Sequence, residues 1–482
     1  MAKERNDGLF SLMERFFSQP YGKSLVIKGK PGAGKTTLAL SFMEAVMQNI
    51  PVCYLSARFS DSSLLSIYPW LEKASLRSSG QASDPVVNIS TESLKKLERL
   101  IEEGKVGSEI NNGLILNVSD LLPEIRGIYE FVDSNVGRSP LIVIDSIEAL
   151  SEKYDIESQL LFSVLYGDIV ERSEGNIIFI LEATENPKLE YFADGVISMD
   201  YSIVDDFLVR TATIEKLRGI SIGSSPKFLY TLNDGKCRAF SKNQVIYPDS
   251  KIELAHDDIT DQFYVPIGSS DFHKLTIDGE GQVSLGSVII LHRQGNSDDV
   301  DTVVNLFKNN LIKDAISNGR GVIDATSSSY ETSKILASCL DAEAMKHYIT
   351  AEKSKRSNSY VINLEGKSIL EDFPNDVIDF FMSSSSRPHL YFFSTDFMMF
   401  TYGENFFGDL INLLNSVRPT GAVFLITDDN IFTKISHYAS LILHFREING
   451  YTFVNSNKNR SFVASTRFSK DGWPDISLSE IV

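Results

Sequence analysis

A glycine-rich segment near the start of the chain, SLVIKGKPGAGKTTL from Ser24 to Leu38, lies between a short apolar run and a helical pattern. It matches G-x-x-x-x-G-K-[S/T] at every fixed position, from Gly29 to Thr36. The glycines let the backbone curl so that its N–H groups converge on a phosphate, and the helix that follows adds the positive end of its dipole. The segment therefore predicts a P-loop that binds a nucleoside triphosphate.

Polar side chains complete the predicted site. Lys35 is expected to reach the β- and γ-phosphates, and Thr36 is expected to hold Mg²⁺. A second metal ligand is expected from Asp145, because it ends an apolar strand (LIVID) in the way a Walker B carboxylate does. The residues predicted to contact the nucleotide in and beside the loop are Gly29, Lys30, Pro31, Gly32, Ala33, Gly34, Lys35, Thr36, Thr37 and Asp145.

Composition limits the class of protein. A chain of 482 residues is too long for one hydrophobic core and predicts two or three domains. Its net charge of −18 disfavours a general nucleic-acid binder, which needs clustered Lys and Arg. No apolar run approaches the roughly 18 to 20 residues of a membrane span. The three cysteines, Cys53, Cys237 and Cys339, are far apart, so we expect a cytoplasmic protein without a disulfide framework or a zinc site.

Strand-like and helical patterns alternate along residues 1–240. This order predicts an α/β domain whose mostly parallel sheet has helices on both faces. Runs that correspond to strands of this first half recur in the same order later in the chain, at Gly321–Thr326, Leu390–Ser394 and Gly421–Thr427. We therefore predict two tandem domains of the same fold, at 1–240 and 275–482, joined by a linker at 241–274.

The second copy lacks the phosphate chemistry. Its glycine turn, within SVIILHRQGNSDDVDTV at 287–303, aligns with the P-loop segment. Asp298 then stands at the position of Lys35, and Asp299 stands at the position of Thr36. Two carboxylates at these positions would repel a triphosphate. The second domain is therefore predicted to have a degenerate site without a functional P-loop.

The segment LIVIDSIEAL around Asp145 resembles the RecA, RadA and KaiC branch of P-loop proteins. IEKLRG is a further match, with Lys216 and Arg218 as a K-x-R pair near the end of the core. The resemblance implies a RecA-like fold in both domains. It also implies a homo-oligomer in which Lys216 and Arg218 reach the nucleotide of a neighbouring subunit. The second domain has Lys458 and Arg460 at the same spacing.

Within this branch the chain resembles the archaeal gas-vesicle regulator D family. The segments that carry the resemblance are GKPGAGKTTLAL at 29–40, YLSAR at 54–58 and YPWL at 68–71. KaiC and RadA proteins usually have a glutamate that positions the attacking water where Ser56–Arg58 stand, and this chain has no carboxylate there. Such help typically contributes about 10²–10⁴-fold to a rate, so we expect a slow ATPase or a pure nucleotide switch.

Two residues are candidates for a catalytic role. Glu182, which ends the apolar run at 176–182, is predicted to face the γ-phosphate and to replace the missing base. Arg58 is predicted to add positive charge at the γ-phosphate. Glu148, three residues after Asp145, is expected on a helix surface or as a cap of the first helical turn.

The resemblance implies a cytoplasmic ATP-binding regulatory protein that acts through a protein partner, such as a transcriptional regulator. Two alternatives from other classes stay open. A RadA-like recombination ATPase would need basic loops to assemble on DNA, whereas residues 151–174 are acidic and apolar. A KaiC-like kinase that acts on a small substrate or on its own Ser or Thr would use serine-rich stretches such as 75–90 and 383–386, which polar loops explain more simply.

Overall fold

The computed structural model describes most of the chain, with gaps. The described residues are 8–57, 61–69, 86–88, 123–154, 156–183, 186–204, 207–223, 225–243, 245–252, 264–266, 271, 274–275, 282–353, 361–373, 378, 383–403, 406–456 and 461–481. They divide into a first compact unit, which ends at Ser241, and a second, from Lys242 to Ile481. The predicted domain limits, with a linker at 241–274, stay predictions.

The first unit contains one sheet and the helices that cover it. Its strands are β1 (Ser24–Gly29), β2 (Val52–Ser56), β3 (Val86–Asn88), β4 (Leu141–Asp145), β5 (Asn176–Ile180), β6 (Gly195–Val204), β7 (Phe207–Leu217), β8 (Lys227–Thr231) and β9 (Arg238–Ala239). Its helices are α1 (Leu9–Phe17), α2 (Lys35–Val46), α3 (Asp61–Ile67), α4 (Pro123–Ser134), α5 (Ile147–Tyr154), α6 (Ser158–Leu165) and α7 (Pro187–Phe192). A π-helical segment, Tyr166–Arg172, continues α6, and a 3₁₀ turn lies at Asn233–Gly235.

The strand order of the first sheet is β3-β2-β4-β5-β1-β6-β7-β8-β9. The strands from β3 to β6 are parallel, and those from β6 to β9 are antiparallel. All of β1 is buried, which is typical of a parallel strand covered on both faces. Two apolar clusters pack on the sheet. The carboxyl ends of β1, β4 and β5 therefore meet at one edge, where ligands bind in open α/β sheets.

The second unit also contains one large sheet, together with a two-stranded ribbon. The ribbon strands are β10 (Tyr264–Pro266) and β11 (Gln282–Ser284). The sheet strands are β12 (Val288–Gln294), β13 (Arg320–Ala325), β14 (Tyr348–Glu352), β15 (Val361–Asn363), β16 (Ser386–Ser394), β17 (Gly421–Asp428), β18 (Leu441–Ile448), β19 (Tyr451–Ser456), β20 (Ser461–Phe468) and β21 (Pro474–Glu480).

The helices of the second unit are α8 (Asp298–Ser317), α9 (Ser329–Cys339), α10 (Ala342–Met345), α11 (Ile369–Asp372), α12 (Thr395–Tyr402), α13 (Phe406–Val417) and α14 (Asp429–Ile435). A 3₁₀ turn at Ser436–Tyr438 follows α14. In the part of the chain that the structure describes, no helix is both long and apolar enough to cross a membrane.

The strand order of the second sheet is β15-β14-β13-β16-β17-β12-β18-β19-β20-β21. Its central strand β12 lies between β17 and β18, just as β1 lies between β5 and β6. In the first sheet the pairing changes from parallel to antiparallel after β6, and in the second sheet it changes after β18. The predicted α/β class is confirmed: each unit has a mixed, mostly parallel sheet flanked by helices.

The first described residues after Ser241 pack within the second unit. Val245, Tyr247 and Ile252 contact its apolar core. The hydroxyl of Tyr247 accepts a hydrogen bond from Asn309 at 2.8 Å. This part of the predicted linker is therefore ordered by the second unit.

A fully buried ion pair lies in the second unit. The side chains of Lys308 in α8 and Asp324 in β13 are both inaccessible to solvent, and Nζ lies 2.9 Å from Oδ2. Lys308 Nζ also donates to the hydroxyls of Thr326 and Ser328, and the hydroxyl of Tyr348 donates to Asp324. Burial lowers the pKa of Lys308, and the nearby Asp324 carboxylate opposes that shift. The core tolerates the ammonium because each of its protons has an acceptor.

We expect Lys308→Met to destabilise the second unit by about 3–5 kcal/mol, because the Asp324 carboxylate would stay buried without its cation. Chemical denaturation measures the effect. Lys334→Met is the matched control, because Lys334 is exposed and lies 3.8 Å from Glu331, and an exposed pair contributes about 0–1 kcal/mol. Equal losses in the two variants would contradict the importance of the buried pair.

Candidate nucleotide-binding site

The loop between β1 and α2 is the predicted P-loop. Its glycines have positive φ angles of 144° at Gly29, 79° at Gly32 and 88° at Gly34. At Gly29 a Cβ atom would lie 1.9 Å from the carbonyl oxygen of Met199 in β6. Glycine is therefore required where the loop leaves the sheet.

Lys35 is the first residue of α2, and its ammonium group folds back over the loop. Nζ donates to the carbonyl oxygen of Gly29 at 2.6 Å and to that of Lys30 at 3.3 Å. Phosphate oxygens are charged acceptors and bind an ammonium group more strongly than neutral carbonyls do. The lysine is thus held beside the position that a phosphate takes in a P-loop.

The two predicted metal ligands lie together. Thr36 Oγ1 donates to Asp145 Oδ2 at 2.5 Å, and the Tyr54 hydroxyl donates to the same oxygen at 2.8 Å. Burial raises the pKa of Asp145, while these two hydrogen bonds and the Lys35 ammonium oppose the shift. Mg²⁺ prefers oxygen ligands and usually takes one or two carboxylates together with phosphates and water. The hydroxyl and the carboxylate fit such an ion.

Among the described residues, no group of three or more His, Cys, Asp or Glu side chains is arranged to hold an ion. Thr36 and Asp145 supply two oxygen ligands, and a Mg²⁺ ion there would take its other ligands from the nucleotide and water.

The other predicted loop residues have contacts around the rim. Lys30 pairs with Asp200 of β6 at 2.7 Å, and both side chains are exposed. Thr37 Oγ1 lies 3.0 Å from the hydroxyl of Tyr68, which belongs to the YPWL segment. Pro31 is exposed and Ala33 is buried.

Glu182 lies just after β5, the strand between β4 and β1. Its Oε1 accepts a hydrogen bond from Ser146 Oγ at 2.6 Å. Its charge contributes to the raised pKa of Asp145, so the two carboxylates are close enough to repel each other. Arg58, the other predicted catalytic residue, lies outside the described residues.

Of the two predicted positions for Glu148, the helix surface is wrong, and the residue lies in the first helical turn. The residue is in the first turn of α5, and both of its carboxylate oxygens are buried. Burial raises its pKa, backbone N–H groups that include those of Glu182 and Ala183 oppose the shift, and the Glu182 charge adds to it. The first turn is capped by Ser146, whose Oγ accepts from the Ala149 N–H at 3.2 Å. Spacing from Asp145 did not reveal this inward position, because it depends on the neighbouring β5 segment.

Lys216 and Arg218 lie at the opposite end of the sheet from the loop. Leu217 pairs with Gly195 at the start of β6, whereas Met199 pairs with Gly29 at the end of β1. Four residues of strand correspond to roughly 13 Å, too far for either side chain to reach the chain's own P-loop.

Both cations of this K-x-R pair have partners within the first unit. Lys216 Nζ donates to the carbonyl oxygens of Ala193 at 2.5 Å and Tyr191 at 3.1 Å, at the end of α7. Arg218 pairs with Asp194 at 3.2 Å. Their proposed reach to a neighbouring subunit stays a prediction, and the second pair, at 458 and 460, lies outside the described residues.

Two residues that no sequence motif indicated also contact the loop. Arg210 in β7 donates from Nη1 to the carbonyl oxygen of Gly32 at 3.0 Å. Tyr230 in β8 donates from its hydroxyl to the carbonyl oxygen of Ala33. Their distance along the chain from the glycine motif explains why the pattern did not reveal them.

Each of the two units is similar to a known protein family. Residues 13–218 match the model of the GvpD gas vesicle protein, P-loop domain. Residues 294–482 match a second model, GvpD basic region 2. The first unit is therefore similar to the GvpD P-loop domain over most of its length. A P-loop domain implies nucleotide binding, and the resemblance to the GvpD family indicated by the sequence is confirmed.

One curated relative is the protein GvpD2 of Halobacterium salinarum, which is 26% identical over 243 residues. The match covers 48% of this chain and 44% of GvpD2, so the chain spans less than half the length of that relative. A solved structure of a KaiC-like protein from Pyrococcus horikoshii aligns with 19% identity and a TM-score of 0.33. That alignment covers 46% of this chain and 91% of the KaiC-like chain.

The second unit has a shorter turn where the first unit has its phosphate loop. Only Gly295–Ser297 lie between β12 and α8, whereas Lys30–Gly34 lie between β1 and α2. Ser297 caps α8 by accepting from the Val300 N–H at 3.5 Å. The first turn of this helix is acidic, with Asp298, Asp299 and Asp301.

A carboxylate of the chain also holds this shorter turn. The N–H of Gly295 donates to Asp429 Oδ2 at 3.0 Å. The other oxygen of Asp429 lies 2.9 Å from Nε2 of His292, the imidazole of which is buried. A backbone donor at the edge of the second sheet is thus engaged by an anion from the protein itself.

Two glycine variants separate the effect of a left-handed backbone from that of a steric collision in the phosphate loop. Gly32→Ala should cost about 1–2 kcal/mol, because a Cβ there has no atom within 4 Å but the φ angle is left-handed. Gly29→Ala should cost more, because its Cβ would also collide with the carbonyl of Met199. Thermal unfolding of both variants measures the difference, and a larger loss in Gly32→Ala would contradict this account of the loop.

Proposed function

We propose that the first unit binds one ATP with Mg²⁺ and that the chain is a nucleotide-dependent switch acting through a protein partner. The observation that carries the proposal is the joining of the P-loop to Asp145 by Thr36, at 2.5 Å. One edge of the sheet thus carries the phosphate-binding loop, the Lys35 ammonium group and two oxygen ligands for Mg²⁺.

In this proposal Lys35 exchanges its acceptors when the nucleotide binds. It leaves the carbonyl oxygens of Gly29 and Lys30 and takes oxygens of the β- and γ-phosphates. Thr36 and Asp145 would hold Mg²⁺, which would supply positive charge beside the phosphates. The loop N–H groups and the start of α2 bind the remaining phosphate charge.

Slow hydrolysis follows from the side chains near the γ-phosphate. The end of β2 and the residues after it are Ser56, Ala57 and Arg58, which include no carboxylate. Glu182 is the nearest proposed base, and it is already the acceptor of the Ser146 hydroxyl. A base engaged in this way orients water less freely, so bound ATP persists and the bound state can be recognised by a partner.

The second unit is proposed to bind no nucleotide. Its turn is shorter than the P-loop, its first helical turn carries three aspartates, and Asp429 engages the Gly295 N–H. The aspartates add negative charge where a triphosphate would need positive charge, and the shorter turn offers fewer backbone N–H groups. Any contribution of the second unit to the switch then does not involve a second nucleotide.

The partner class follows from the GvpD resemblance. The matched family is described as a gas vesicle protein, and the resemblance implies an inhibited transcriptional regulator as partner. The net charge of −18 supports a protein partner in preference to nucleic acid. Affinity capture from the source cells, with and without a non-hydrolysable ATP analogue, tests whether such a partner binds in one nucleotide state.

Isothermal titration calorimetry should show one ATP·Mg²⁺ site per chain, and Lys35→Ala should abolish it. Lys236→Ala is the control, because its ammonium pairs with Glu44 near the end of α2 at 2.9 Å, and it should retain the affinity. Two sites in the wild-type chain, or full affinity in Lys35→Ala, would disprove the proposed arrangement.

Single-turnover hydrolysis should be slow, at or below about 0.1 s⁻¹, which is a factor of 10² under the typical enzyme value of about 10 s⁻¹. Glu182→Gln should lower it further while ATP binding persists. Glu152→Gln, on the exposed part of α5, is the control and should leave the rate unchanged. Fast turnover that Glu182→Gln does not alter would show that another group is the base.

A further inference from the structure

The phosphate loop rests on two side chains from the antiparallel half of the first sheet. Arg210 in β7 and Tyr230 in β8 are opposite each other on neighbouring strands. Arg210 Nη1 donates to the carbonyl oxygen of Gly32 at 3.0 Å, and the Tyr230 hydroxyl donates to that of Ala33. One cross-strand pair thus holds two consecutive carbonyl groups of the loop.

These bonds also determine where the loop N–H groups point. The C=O and N–H of a trans peptide point in opposite directions, so a donor that fixes the carbonyl fixes the next N–H as well. Tyr230 therefore directs the N–H of Gly34 away from its own hydroxyl. The peptide between Gly32 and Ala33 is held on both sides, because the Ala33 N–H donates to the Lys30 carbonyl at 3.1 Å.

The surroundings keep the pair in place. Tyr230 is 1% exposed, and burial raises the pKa of its hydroxyl, so the hydroxyl stays a donor. The Arg210 guanidinium lies 5.8 Å from the centre of the Tyr201 ring. Leu232, just after β8, packs so closely to the loop that a Cβ at Gly34 would lie 2.6 Å from its side chain. The loop therefore has a preformed seat on β7, β8 and the residue that follows.

We propose that Arg210 and Tyr230 are positioning residues that preorganise the phosphate loop for the pyrophosphate group of its nucleotide. The proposal rests on the proposed function of the first unit, nucleotide binding. Neither side chain needs to touch the nucleotide, because each acts through a loop peptide. N–H groups that are already aimed lose less conformational freedom on binding, which strengthens the affinity for an anion.

Calorimetry with ATP and with inorganic pyrophosphate tests the effect on affinity. Tyr230→Phe should weaken both ligands about three- to tenfold, which is the usual net contribution of one hydrogen bond. Arg210→Gln should weaken both about two- to fivefold, because its side chain is partly exposed. Tyr348→Phe is the matched control: it removes a buried hydroxyl that donates to Asp324 in the second unit, and should leave both affinities unchanged.

Hydrogen exchange of residues 29–36 in the nucleotide-free chain separates positioning from general stability. We expect faster exchange in this loop in Tyr230→Phe and Arg210→Gln, and no change there in Tyr348→Phe. A merely structural role would instead accelerate exchange throughout the first unit and would overturn the inference. If Tyr230→Phe does not fold, Arg210→Gln decides by the same readout.

The two proposals fail in different ways. A wild-type chain that binds neither ATP nor pyrophosphate contradicts the proposed function, and the exchange measurement still decides whether the pair orders the loop. Loop exchange and affinity that are unchanged in both variants, in a chain that binds ATP, overturn the role of Arg210 and Tyr230 alone.

Discussion

The hydrogen bond from Thr36 to Asp145 joins the two segments on which the candidate site depends. Thr36 belongs to the first turn of α2, and Asp145 ends β4, two strands away from β1 in the sheet. They meet because the carboxyl ends of parallel strands share one edge. The order β4-β5-β1 thus also places Glu182, just after β5, between the two halves of the site. Any change in that order would separate the phosphate loop from its metal ligand.

The sequence predicted those features that local chemistry dictates. Strand and helix patterns predicted the α/β class. The glycine motif located the loop, because a side chain at position 29 would collide with the carbonyl oxygen of Met199 in β6. Contacts made across the sheet were not predictable in the same way. Arg210 and Tyr230 meet the loop only in one strand register, and a shift by one residue would turn both side chains to the other face. The inward position of Glu148 likewise depends on the packing of α5 against the end of β5.

The two units show how one sheet order supports different chemistry at the same edge. His292 in the second unit pairs in register with His444, as Gly29 pairs with Met199 in the first. A side chain at Gly29 would collide with a backbone carbonyl, whereas the position of His292 accommodates an imidazole. The ring centres of His292 and Phe432 are 3.9 Å apart, and Nδ1 of His292 lies 2.8 Å from Nδ1 of His444. Buried strands form the core of both sheets, while the segments at the sheet edge differ in length and in side chains.

Asp145 shows what the proposed switch requires of the fold. Burial raises its pKa in the folded chain. Its contribution to stability is therefore present below the unfolded pKa and lost as the pH rises through the folded pKa. Above the folded pKa the ionised carboxylate lowers the stability of the nucleotide-free unit, yet Mg²⁺ needs that charge. Ligands that bind only the folded unit restore stability by mass action. A ligand shifts a conformational equilibrium only as far as its affinities for the two states differ. A carboxylate that lowers the stability of the nucleotide-free unit and binds the metal of the nucleotide provides such a difference in affinity.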